Sequence, residues 1–175
     1  MGEMIAVPDR TEAAEYYFRY IDLIPGGGIC GHLESQGEAS GALLAAIAEE
    51  QSRHRYAPDK WSIREVVGHL IDCERLFVGR AFWFARGFDT SLPSFDQDVA
   101  MAASGADRRP WSNLQAEFQA LRASTSLFFR SLPEAAWARR GIASDKPFTV
   151  RALAYLTAGH VTHHLNILRE RYLPE

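Results

Sequence analysis

Apolar residues along this chain recur at helical spacing, and no stretch alternates in the manner of a half-buried strand. The clearest rhythm is Leu114, Phe118, Leu121, Thr125, Phe128, Leu132, a 4-3-4-3-4 succession. Ser112 and Gln115 read as the capping box that opens that helix. A second capping box, Ser62 with Glu65, opens a helix whose stripe is Val66, Leu70, Cys73, Phe77 and Phe84. That helix should run to about Arg86 and end at Gly87. Thr149 can cap a last helix, with Leu153, Leu156, Ile167 and Leu168 on its apolar side and an end near Tyr172, before Pro174. A further helix is expected from Leu33 to about Ser52, with the stripe Leu33, Ser40, Leu43, Leu44, Ile47. Gly37 and Gly41 weaken it, each by roughly 1 kcal/mol against Ala.

Ahead of these, residues 1–10 read as a loose lead-in. Thr11 can cap a short helix with Ala14, Tyr17, Phe18 and Ile21 inward, stopped by Pro25-Gly26-Gly27-Gly28. Residues 88–110 carry Pro93, Gly105 and Pro110 and no sustained period. A linker of that length is either functional or a crossover, and no long helix is expected in it. Pro133 to Trp137 suits one more turn, and Gly141 to Pro147 reads as loop. The expected architecture is all-α: four main helices plus an extra N-terminal one. Residues 1–29 form the lead-in and first helix and residues 30–175 the bundle, one domain overall.

Composition narrows the function classes. The chain has 175 residues, 47% of them hydrophobic, enough to bury a core without staples. Its net charge is −3 and it has no Lys/Arg run, which argues against nucleic acid as a partner. No run of eighteen apolar residues suggests a membrane span, and no basic region followed by an apolar segment suggests a signal peptide. Cys30 and Cys73 form no CxxC motif, so a reducing, cytoplasmic setting is expected.

The candidate chemistry lies in Gly159-His160-Val161-Thr162-His163-His164-Leu165. Positions i and i+4 of a helix share a face. His160 and His164 therefore fall near the centre of the last helix's apolar stripe, with His163 roughly 80–90° round at its edge. Two imidazoles in a buried stripe need polar partners, and a shared metal ion is one such partner. The alternative is a polar pair bonded to backbone or water. His163 reads as a rim histidine, able to serve as a proton shuttle. His69 lies roughly 80° from the centre of its own stripe. Alone it reads as a satisfied flank histidine; as the third partner of the other two it becomes a candidate ligand, since a bundle helix has interior flanks. Asp72 either orients an imidazole as a hydrogen-bond acceptor or is a surface acid. His32 and His54 read as surface.

Three neutral histidines suit zinc or nickel better than calcium or magnesium, and three protein ligands leave a coordination position open for reaction. Val161 stands where an H-E-x-x-H protease needs its Glu base, which disfavours that class.

Three blocks together resemble the DinB/YfiT-like metalloenzyme family: Lys60-Trp61-Ser62-Ile63-Arg64-Glu65 with Gly68-His69-Leu70-Ile71-Asp72, then Phe95-Asp96-Gln97-Asp98, then Gly159-His160 through His163-His164-Leu165 with Arg169-Glu170-Arg171-Tyr172. The resemblance covers roughly residues 30–173. It implies a four-helix bundle with a long crossover between its second and third helices. It also implies a divalent ion, nickel or zinc, on His69, His160 and His164. It further implies metal-dependent chemistry on a small molecule, as in thiol-dependent transferases, isomerases or hydrolases, with a low-molecular-weight thiol as a possible partner. Many relatives carry an acidic residue where this chain has Val161. A homodimer is expected from the resemblance and from Phe82, Trp83 and Phe84, which occupy several faces of one helix. The competing reading is a metal-binding or structural dimer without catalysis. A pocket lined by Trp61, Phe95 or Trp83 beside the metal would favour the enzyme.

Overall fold

Ser62 opens the longest helix as its capping box requires: its Oγ accepts from Glu65 N at 3.2 Å, and the Glu65 carboxylate accepts from Ser62 N at 2.8 Å. In the computed structural model, which describes residues 5–173, this helix (α3) spans Ile63–Ala85 and stops at Gly87, whose φ of 83° few other residues would adopt. Around it stand α2 (Ile29–Ala45), α5 (Trp111–Arg130) and α7 (Val150–Ile167). A π-helical turn over Leu168–Tyr172 extends α7. Helix α3 packs on α7 and α5, and α2 closes the bundle against α5 and α7. Short α1 (Phe18–Ile21) lies along α7, α4 (Gln97–Ser104) sits against α3 within the long connection between α3 and α5, and α6 (Glu134–Trp137) is the expected single turn. The result is a mostly helical four-helix bundle.

Several elements differ from expectation. Helix α2 starts before Leu33 and ends before Ser52. Its two interior glycines are contact points with α5: a Cβ at Gly37 would lie 2.6 Å from Arg122 Cγ, and one at Gly41 would lie 2.0 Å from Gln119 Nε2. The Ser112–Gln115 box is not made. Helix α5 begins one residue earlier, Trp111 N donates to Glu49 Oε2 at 2.9 Å, and Gln115 Nε2 donates to Leu44 O at 2.7 Å. Its buried face runs through Arg122 and Phe129 rather than Leu121 and Phe128, because Arg122 pairs with Glu74 of α3 at 2.7 Å inside the bundle.

Residues 140–149 form a hairpin, not a loop. β1 (Arg140–Ala143) pairs antiparallel with β2 (Lys146–Thr149), and Ser144 and Asp145 turn the chain with φ of 53° and 57°. The turn needs positive φ at both central residues, and Ser-Asp advertises this weakly. The pair is held from outside: Leu92 N donates to Ile142 O at 2.9 Å, and Thr149 N donates to Glu12 O at 3.0 Å. At the N-terminus Thr11 caps no helix; the chain enters α1 through a 3-10 turn, Glu15–Tyr17. Nor are residues 5–10 loose, since Tyr155 Oη donates to Ile5 O at 2.9 Å and Pro8 is buried. The first four residues of the lead-in and Pro174 lie outside the described residues.

Thr149 caps α7, its Oγ1 accepting from Ala152 N at 3.0 Å. Every residue from Ala152 to Val161 is buried, so the apolar stripe read from sequence is a whole circumference here, as expected of a central helix.

Candidate metal centre

Helix α3 carries His69 inward and α7 carries His160 and His164 one turn apart. The three rings face one another with centroids 4.6 to 4.9 Å apart, and one nitrogen from each lies within 4.8 Å of the others. His69 Nε2 and His160 Nε2 stand 3.2 Å apart. Two nitrogens each bonded to one ion at about 2.1 Å lie roughly 3.0–3.4 Å apart for bond angles between octahedral and tetrahedral. The donor set therefore fits a divalent ion.

Burial sets the protonation states. It lowers His69 to about 4 and His160 well below its ordinary value. Burial, then the neighbouring His69 and His163, lowers His164 to about 3. All three are neutral at pH 7, the form that ligates a metal. His163 is half-buried and lowered by burial and then Arg19.

The approach of α1 decides what covers the triad. Gly159 permits it: a Cβ there would meet Tyr20 O at 2.1 Å. Tyr20 consequently sets its ring edge-on at 5.4 Å from His160 and 5.2 Å from His163. Burial raises its phenol to about 12. Beneath, Cys73 Sγ lies 3.6 Å from His69 Nδ1, and burial pushes its thiol up to about 12, so it stays protonated.

Two cavities flank the histidines. One, of about 240 Å³, meets His69 and His160 and is walled by Tyr17, Tyr20, Phe77 and Phe95, with Arg80 also in its lining. The other, of about 260 Å³, meets His164 and is lined by Tyr56, Trp61 and Tyr172. Tyr172 Oη donates to Trp61 O at 2.7 Å and fixes that wall. Trp61 and Phe95 thus border the triad as the sequence suggested, while Trp83 instead stacks on Phe88 at 4.2 Å.

Of the other candidates, Asp72 faces Arg75 at 3.9 Å, and the group beside His69 Nδ1 is Cys73 Sγ. His54 is exposed; His32 is half-buried, with Nε2 lacking a hydrogen-bond partner among the described residues. Sequence reasoning passed over Arg80, Tyr20 and Ser144. Arg80 had a signal, since eleven residues after His69 returns to within about 20° of the same helix face. Tyr20 and Ser144 had none, because they arrive from α1 and the hairpin turn.

The model of the DinB superfamily matches residues 32–168. The chain belongs to the DinB superfamily. Among solved structures, it is similar to YfiT from Bacillus subtilis, a probable metal-dependent hydrolase with an unusual four-helix bundle topology. The TM-score is 0.68 at 18% identity, over 90% of this chain and 86% of that one. It is also similar to the mycothiol-dependent maleylpyruvate isomerase, with a TM-score of 0.66 at 10% identity, over 83% of this chain and 61% of that one. No curated protein matches the chain. At these identities the likeness shows the shared fold.

Proposed function

We propose that this DinB-superfamily chain is a metal-dependent enzyme acting on a small molecule, with His69, His160 and His164 as the ligands of one zinc or nickel ion. The observation that carries the reading is the convergence of three neutral imidazoles between two cavities, His69 and His160 on the wall of one and His164 on the wall of the other. A bound divalent ion would supply Lewis acidity, lowering the pKa of a coordinated thiol or water.

The cavity favours a thiol over water as the activated group. Among the described residues, the side chains that line it include tyrosines, Gln97 and Ser144 but no carboxylate. A water nucleophile has no strong base there, whereas a thiol with an ordinary pKa of about 8.5 needs little help to ionise. In this cavity thiol-dependent transfer therefore stands ahead of hydrolysis; hydrolysis is the second reading, favoured by Asp59 in the lining of the cavity at His164, and the two structural relatives divide between these chemistries. Tyr20 and Phe95 hold bulk water from the reacting end. His163, at the rim beside Tyr20, is placed to pass a proton to solvent. Asp72, oriented toward Arg75, is the weaker of the two acid–base candidates.

The same reading includes a homodimer in a reducing cytoplasm, consistent with free Cys30 and Cys73. Phe84 is core, but Phe82 at 43% and Leu127 at 67% exposure, with Phe128 beside Phe82, leave an apolar patch across α3 and α5 that a second copy would cover.

Elemental analysis of the purified protein tests the centre. One zinc or nickel per chain is expected. His69→Ala, His160→Ala and His164→Ala should each lose most of it, and His163→Ala should retain it. Retention by His164→Ala with loss by His163→Ala would overturn the ligand assignment. A wild type that takes up no divalent ion would leave the non-catalytic structural dimer as the better reading, to be checked by sedimentation.

A further inference from the structure

We propose that the cavity against His69 and His160 is built for a compact ligand bearing an acid group, and that Arg80 receives that group. This deepens the enzyme reading and rests on it for the end of the ligand that faces the histidines. The cavity follows one face of α3: His69, Cys73, Phe77 and Arg80 all line it. His69 and Arg80 are eleven residues apart, about three helical turns or about 16 Å of axial rise. The cavity thus has an imidazole wall at one end, a guanidinium at the other and aromatic rings between.

The guanidinium is left short of partners. Arg80 is only 3% exposed. Its Nη2 donates to Pro93 O at 2.9 Å and to Ser144 Oγ at 2.8 Å. These bonds hold it between the α3–α5 connection and the hairpin turn. Its Nε is buried without a partner among the described residues. Among the described residues it forms no salt bridge, and the cavity lining it shares holds Tyr17 and Ser144 but no carboxylate. The other deeply buried arginines have carboxylates: Arg64 has Glu49 and Arg122 has Glu74. A buried cation without a counter-charge is costly, and a guanidinium with free N–H groups is the side chain best shaped to bind a carboxylate. The volume, about 240 Å³, lies below the roughly 300–1,000 Å³ of drug-sized sites, which suits a compact acid with an apolar body.

Calorimetry with the ω-mercapto acids from 3-mercaptopropionate to 6-mercaptohexanoate, each against its methyl ester, tests the assignment on zinc-loaded and metal-free protein. The acids should bind the zinc-loaded wild type at least about tenfold more tightly than the esters. Arg80→Gln should erase that preference and Arg80→Lys should restore part of it. The metal-free protein should bind every probe more weakly yet still prefer the acids. In ¹⁵N-labelled wild type, the Arg80 Nε–H resonance should move with acid and stay still with ester, a readout that needs no variant to fold. Failure to take up zinc with the acid preference intact would sink the metal reading alone. Equal binding of acid and ester in both forms, a preference surviving in Arg80→Gln, or an Nε–H resonance unmoved at saturating acid would overturn the anion site.

Discussion

Two ends of α3 bury the same residue type and treat it in opposite ways. At the capped end Arg64 is 1% exposed and its donors are used: Nε to Ser52 Oγ at 2.7 Å, Nη1 to Arg109 O at 2.7 Å, and Nη2 to Glu49 O at 3.1 Å and to the Glu49 carboxylate. It staples two loop segments to the start of the helix. At the far end Arg80, also buried, uses only Nη2 and has no carboxylate facing it among the described residues. A polar group whose capacity is met from within the fold serves the fold. One whose capacity is left open beside a cavity is free to serve a ligand. The histidine triad between them belongs with Arg80: its rings, two buried and His164 half-buried, are neutral and turned toward one another.

The largest expected effect is at the saturated end. Arg64→Ala removes a donor from Ser52 Oγ and from the carbonyls of Glu49, Asp107 and Arg109 and empties the space of a fully buried side chain, and should cost about 3–5 kcal/mol in urea denaturation. Glu74→Ala should cost a similar amount, about 3–5 kcal/mol, by stranding Arg122 in the core, while the double change Glu74→Leu with Arg122→Met should return to within about 1 kcal/mol of wild type. That pair would then be shown to contribute little net stability, unlike the Arg64 staple.

The pH dependence of the metal-free protein comes next. The folded pKa of His69, about 4, lies below its ordinary 6.5. Between those values the unfolded chain binds the proton and the folded one does not. Stability is therefore fully present above pH 6.5 and falls as the pH drops toward 4, by about 3 kcal/mol for His69 alone. Denaturation midpoints that stay flat from pH 7 to pH 4.5 would contradict neutral burial of the triad. The smallest effect is expected at Arg80→Gln, about 1 kcal/mol or less without ligand, because two hydrogen bonds are lost while an uncompensated buried charge is relieved. A loss as large as that of Arg64→Ala would make Arg80 a second structural staple and collapse the contrast.

The sequence alone determined what contacts within one or two turns encode. Ser62 with Glu65 and Thr149 cap their helices as read, Gly87 ends α3, and the i, i+4 spacing of His160 and His164 puts both rings on one side of α7. That four helices pack together followed from their periodic stripes, and His69 was legible as a third partner only because the other two needed one. Tertiary structure decided the rest, where a distant group outcompeted a local one. Gln115 left its capping box for the carbonyl of Leu44, and Glu49 came from another element to take Trp111 N. Glu74 drew Arg122 into the face expected for Leu121. Gly37 and Gly41, unfavourable for a helix in isolation, were retained where α2 and α5 touch. The hairpin formed because Glu12 and Leu92 pair with strands too short to declare themselves. The cavity draws Tyr20, His69, Arg80, Phe95, Ser144 and His160 from across the chain. No local periodicity records such a meeting, since its geometry is set by how the helices pack rather than by the turn on which each residue sits.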